Sequence, residues 1–157
     1  MIKIQRILMI YFLVFLYACG ARVEEHALEN PTIIIQIIQN NADHVDTFEK
    51  NINQGNYERA RQALENWRYD IDRHIETLKQ LDVPERFKRS KTDVLSVLHS
   101  YRQLIAEDYQ QLLDRRKRNN TLPVYLLNKG NVKQTHERMA RVFDALATIL
   151  EQEYNLR

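Results

Sequence analysis

Residues spaced alternately by three and four, Tyr57, Ala60, Leu64, Trp67, Ile71, His74, Leu78 and Leu81, form a seam through the middle of this 157-residue chain. That spacing keeps every member on one side of an α-helix and would scatter them over both faces of a strand. The segment can therefore bury its apolar side only as a helix against other helices. Three glycines and three prolines are all that punctuate the whole sequence, a scarcity that favours long helices over a turn-rich sheet. The expected class is all-α, in one domain.

The neighbouring stretches follow the same rule. Asn30 and Pro31 read as a cap and a first-turn proline that start a helix running to about Asn53, with Ile34, Ile38, Val45, Phe48 and Ile52 as its stripe and Ala42 alongside. Ile33, Ile35 and Ile37 widen that stripe in the first turns. Gly55 suits a left-handed helix end and Asn56 the next cap. Asp82 and Pro84 mark another start, after which Phe87, Val94, Leu98, Tyr101, Ile105 and Leu112 face inward, with Leu95, Tyr109 and Leu113 beside them. This third helix either runs unbroken to Arg118 or is preceded by a separate turn around Lys88 and Lys91. Residues 119–123 connect to the last element, which opens on Val124, Tyr125, Leu126 and Leu127 and is either continuous or interrupted at Asn128, Gly130 and Asn131. Its seam is Val132, His136, Met139, Phe143, Leu146 and Leu150, flanked by Val142 and Ile149. Short connections between four amphipathic helices predict an antiparallel up-down-up-down four-helix bundle over residues 31–157.

The N-terminus has a different character. Lys3 and Arg6 precede an apolar run over residues 7–18 that stops at Cys19. A basic start, about 12 apolar residues and then small residues is the layout of a secretory signal. The run falls short of the roughly 20 residues needed to cross a bilayer. Leu16, Tyr17, Ala18 and Cys19 resemble the lipobox of bacterial lipoproteins, with Leu at −3 and Ala at −1 from the modified cysteine. The resemblance implies cleavage before Cys19 and acylation of that residue, with residues 1–18 as signal peptide and residues 19–30 as the lipidated cysteine and a short polar tether. An ordinary signal cut after Gly20, or an uncleaved anchor, are the other readings of the segment.

Charge narrows the partner classes. The 23 basic and 21 acidic residues leave +2, for which Lys3 and Arg6 account, so the chain after the leader is neutral. A nucleic-acid binder usually carries a basic excess to neutralise phosphates, and none is expected here. A lone cysteine forms no intramolecular disulfide, so the fold holds by packing.

Candidate sites are few. His74 and His136 lie on otherwise apolar seams and invite comparison with metal or haem ligands. Two ligands are fewer than a structural zinc site needs, and the chain has neither a Glu-x-x-His pair nor a Cys-x-x-Cys-His run. Asp70, Asp72 and His74 do not converge, because helical residues two apart face different ways. Arg115, Arg116, Lys117 and Arg118 are the densest basic cluster; they complement a helix C-terminus or contact an anionic surface. No phosphate loop, nucleophile elbow or His-Glu-x-x-His occurs. The sequence thus predicts no enzyme, no cofactor and no catalytic residue. It predicts a membrane-tethered extracytoplasmic module of the bacterial envelope that binds another envelope protein. The competing classes are a carrier of a metal, haem or apolar molecule through His74, His136 and the tyrosines, and attachment to anionic lipid or cell wall through Arg115, Arg116, Lys117 and Arg118.

Overall fold

A computed structural model describes residues 26–118 and 129–155, and shows an all-α helical bundle. Its elements are α1 (His26–Asn53), α2 (Tyr57–Gln80), α3 (Glu85–Leu104), a π-helical turn (Ile105–Tyr109), α4 (Gln110–Arg118) and α5 (Lys129–Asn155). Backbone angles at Ile105 and Gln110 stay helical, so α3, the π turn and α4 form one rod, the third helix expected from the sequence. Among the described residues Lys88 and Lys91 lie within α3 and make no separate turn. Residues 1–18, expected as a signal peptide and including Leu16 and Ala18, Cys19, and Val124 to Leu127 lie outside the described residues.

The first helix begins earlier than its sequence suggests. Asn30 is not its cap and Pro31 falls in its second turn. Proline at this sixth position removes the one bond that its N–H would give to the Ala27 carbonyl, and the Pro31 ring is buried. The Asn30 side chain instead donates to the Asp82 carbonyl, pinning α1 to the turn between α2 and α3.

At its other end α1 closes on Gly55, whose φ of 72° is the left-handed conformation that a side chain disfavours. The Asn56 amide bonds Asn51 O at 2.9 Å and the Gly55 amide bonds Ile52 O at 3.2 Å, the paired pattern of a Schellman end. Asn56 precedes α2 but makes no side-chain cap bond; its amide group turns to Gln54. Pro84, not Asp82, occupies the cap position of α3, again without a side-chain bond. Lys91 reaches back to the Leu81 carbonyl at 2.6 Å and so satisfies the end of α2.

Burial follows the seams. In α2 all of Ala60, Leu64, Trp67, Ile71, His74 and Leu78 are buried, with Ala63 and Ile75 beside them. In α1 Ile34, Ile37, Ile38, Val45, Phe48 and Ile52 are buried and Ile33 and Ile35 pack half-covered against the same core. Ala42 is exposed, and its neighbour Asn41 is buried in its place. Met139, Leu146 and Leu150 anchor α5, while Val132, Phe143, Val142 and Ile149 are half-buried. α1 packs chiefly on α2, α5 chiefly on α3, and α2 meets both α3 and α4. No described helix is long and apolar enough to cross a membrane.

Candidate functional site

At the middle of the bundle the core holds polar atoms and large rings. Trp67, Tyr101, Tyr109 and Phe48 are its largest fully buried side chains. The Trp67 and Tyr109 rings meet at 5.0 Å between centroids, Trp67 and Tyr101 at 5.6 Å, and Phe48 and Tyr109 at 5.2 Å, all tilted or edge-on. Edge-to-face contacts suit the ring quadrupoles and add about 0.5–1.5 kcal/mol each beyond burial. Trp67, from α2, thereby touches both tyrosines of the third rod.

Each buried polar group in this cluster has a partner. The Trp67 indole N–H donates to Asn41 Oδ1 at 2.8 Å, and Asn41 is 2 % exposed. The Asn41 side chain also acts on the Tyr101 hydroxyl, opposing the rise that burial gives its pKa. One amide therefore joins α1 to α2 beside a tyrosine of α3. The Tyr109 hydroxyl hydrogen-bonds Nε2 of His136 at 3.0 Å, and the His136 ring sits edge-on to Tyr101 at 5.4 Å. Burial pushes both phenols far above their usual range and holds His136 below the usual imidazole range. All three stay neutral at physiological pH.

The His44 ring stacks parallel to the Trp67 indole at 6.4 Å between centroids, and its Nε2 lies 2.8 Å from Asp70, which also holds Arg73 at 2.7 Å. His74 is buried one turn along α2; desolvation, and secondarily Arg73 and His44, lower its pKa against the opposing pull of Asp70. A ladder results: Asp70, His44, Trp67, the two tyrosines, His136. His74 neighbours the Asp70 end and His136 forms the other end, so the two seam histidines serve separate polar groups. Among the described residues no group of three or more His, Cys, Asp or Glu could hold a metal. Arg138 of α5 donates to Ser96 at 3.0 Å and Ser100 at 3.3 Å, which occupies both hydroxyls with helix pairing. Asp72 leaves its neighbours and pairs with Arg102 at 3.0 Å.

The four-residue basic run divides. Arg116 is buried at 9 % exposure and donates to the Ile52 carbonyl at the end of α1. Lys117 pairs with Glu58 at the start of α2 at 3.1 Å, and Arg118 folds onto the Asp114 carbonyl of its own helix. Arg115 faces solvent. The run therefore seals one pole of the bundle, where the ends of α1 and α4 meet the start of α2.

Sequence reasoning singled out His74 and His136 and placed Tyr109 beside its seam, but passed over Asn41 and His44. For Asn41 a signal existed: Ile34, Ile38, Asn41, Val45, Phe48 and Ile52 alternate by four and three without a gap. No family model, curated protein or solved structure matches this sequence.

The two lowered histidines set a pH dependence. A base whose folded pKa lies below its unfolded value of about 6.5 binds fewer protons when folded, so stability falls as pH drops below about 6.5 and levels off beneath the folded values. Glu49, raised by burial, works in the opposite sense in a more acidic window, above its ordinary 4.5. The urea midpoint should accordingly be lower at pH 5.5 than at pH 7.5. His136→Gln, which keeps a group able to bond Tyr109 but does not titrate, should reduce the difference. An unchanged midpoint between the two pH values would contradict this assignment.

Proposed function

We propose that this chain is a lipid-anchored, extracytoplasmic protein of the bacterial envelope whose helical bundle is a non-catalytic interaction, scaffold or accessory module. The observation that carries this reading is the apolar run over residues 7–18 ending at Leu16, Tyr17, Ala18 and Cys19, followed by one compact helical domain. Cys19 is the residue that would carry the acyl chains and hold the domain to a membrane. Several chains on one residue make a firm anchor, since each buried methylene adds about 0.8 kcal/mol and one chain alone is marginal.

The interior supports a module that works through its surface. A carrier keeps a cavity for its cargo, whereas here Trp67, Tyr101, Tyr109 and Phe48 fill the centre, and the Trp67 indole and Tyr109 hydroxyl bond Asn41 and His136. An up-down-up-down order of helices is part of the same reading. It is supported by pairings that run in opposite senses along successive helices: Asn30 with Asp82 and His44 with Asp70, Asp72 with Arg102 and Glu58 with Lys117, Ser96 with Arg138 and Tyr109 with His136.

Replacing Cys19 with serine tests the anchor. Parent protein should fractionate with membranes and carry a lipid-sized mass increment on its first residue, and Cys19→Ser should lose the increment. A membrane form whose Cys19 is unmodified, or that begins at Ala21, would remove the anchor. In-cell crosslinking with the anchored parent should then yield a discrete partner band that Cys19→Ser diminishes; its absence would count against the interaction role.

A further inference from the structure

The pole sealed by Arg116 is unusually basic for a domain that is neutral overall. Residues 49–61 and 114–118 meet there, as the Arg116 to Ile52 and Lys117 to Glu58 contacts show. They carry seven bases, Lys50, Arg59, Arg61, Arg115, Arg116, Lys117 and Arg118, against three acids, Glu49, Glu58 and Asp114. Every base except Arg116 is exposed. The 21 bases and 21 acids that follow the leader are thus divided unevenly, leaving 14 bases against 18 acids elsewhere.

Helix electrostatics accounts for only part of this. Lys50 and the run in α4 lie in last turns, where cations complement the exposed carbonyls. Arg59 lies in the first turn of α2, where the helix dipole favours an acid, and Arg61 follows closely. Arg59 opposes the local field and adds to the charge of the pole, whereas Arg61 is paired with Glu58 at 3.0 Å and Glu65 at 3.5 Å.

We propose that this pole is a docking surface for an extended phosphate-bearing polyanion in a layer beyond the anchoring membrane. This goes further than the interaction role above and takes its orientation from the Cys19 anchor. α1 starts at His26, and the 27 steps to Asn53 at 1.5 Å each place the pole about 40 Å away. The seven residues 19–25 reach at most about 25 Å when fully extended. The domain therefore cannot turn over and press this pole face-on against its own bilayer. The exposed large apolar side chain of the described residues is Tyr69, in mid-α2 and away from the pole. Among the described residues of the pole the aromatic side chain is Tyr57, which packs half-buried against the core. The exposed guanidinium and ammonium groups around it suit a chain of repeated phosphates, which needs charge and little shape.

The test uses full-length protein purified from membranes in neutral detergent, titrated with fluorescently labelled inorganic polyphosphate. Binding should be clear at 50 mM salt and weaken roughly tenfold or more by 200 mM, as counterion release requires for three or four neutralised phosphates. Arg59→Glu with Arg115→Glu, both on exposed positions, should abolish it, while Arg89→Glu, on α3 far from the pole, should leave it intact. Equal binding by parent and the double variant, or none by the parent at 50 mM salt, would overturn the proposal. Competition by polyglutamate as strong as by unlabelled polyphosphate would overturn the phosphate preference, and equal competition by phosphatidylglycerol vesicles would reassign the pole to lipid. Cys19 acylation is read separately by mass. An unmodified Cys19 overturns the orientation, and the polyphosphate titration still decides the docking surface.

Discussion

Trp67→Ala is expected to destabilise the bundle by about 3–5 kcal/mol, the range for emptying a buried aromatic site in a packed core. Trp67 is 0 % exposed and is the one side chain that touches both core tyrosines and stacks on His44. Its removal also leaves Asn41 Oδ1 buried without its indole donor. Single domains of this size are stable by only about 5–15 kcal/mol, so the variant should lie near the edge of folding. Trp67→Phe separates the two contributions: it keeps most of the ring and drops the N–H, and should cost less, about 1–3 kcal/mol from the orphaned acceptor together with some lost volume. Far-UV circular dichroism in a urea series measures both. A Trp67→Ala midpoint within error of the parent would show that the ladder does not hold the core.

A second large effect is expected from deletions in the third rod, where two similar changes should give opposite results. Removing one residue from a packed helix turns everything beyond it by about 100° and takes its apolar side out of the core. Deleting Ser96 from α3 should therefore yield no cooperatively folded protein. Deleting Ala106 from the π turn should be tolerated to within about 1–2 kcal/mol. The buried residues Val94, Leu98, Tyr101, Ile105, Tyr109, Leu113 and Arg116 are spaced by 4, 3, 4, 4, 4 and 3, one residue more than the bundle's three-four alternation provides. The π turn, with its wider i→i+5 ring, takes up that residue. Without Ala106 the same side chains are spaced by 4, 3, 4, 3, 4 and 3, which an ordinary α-helix presents to one side. Cooperative thermal unfolding of the Ala106 deletion, beside its absence in the Ser96 deletion, is the expected outcome. Equal damage by both would mean that the π turn has another cause.

The particular residues explain which parts of the fold are visible in a linear chain. The α2 seam was fully legible because each member is apolar or nearly so and the alternation never slips. Asn41 obeyed the same alternation in α1 and was hidden only by its polarity, since the Trp67 N–H that makes its burial affordable belongs to another helix. Tyr109 was assigned beside its seam because a constant helical repeat puts Asp108 at that position; only the π turn rotates the tyrosine inward. Asn30 and Pro31 carry a strong local start signal, yet α1 begins four residues earlier, and Asn30 answers a carbonyl 52 residues away. His74 and His136 stood out as anomalies on apolar seams. Their different surroundings, Asp70 with His44 at one end and Tyr109 with Tyr101 at the other, depend on how four helices are placed.

Sequence by itself determined the all-α class, the α2 seam, the left-handed end at Gly55 and the neutral charge balance of residues 19–157. Those properties are local sums: residue spacing, backbone freedom and counted charge act within a turn or two and need no partner. Only the tertiary structure decided which polar residues are buried, that Arg116 leaves a basic run to close the end of α1, and that bases from three helix ends gather at one pole. Each of these depends on a group distant in sequence, because a buried donor or charge is stable only where another helix brings its acceptor.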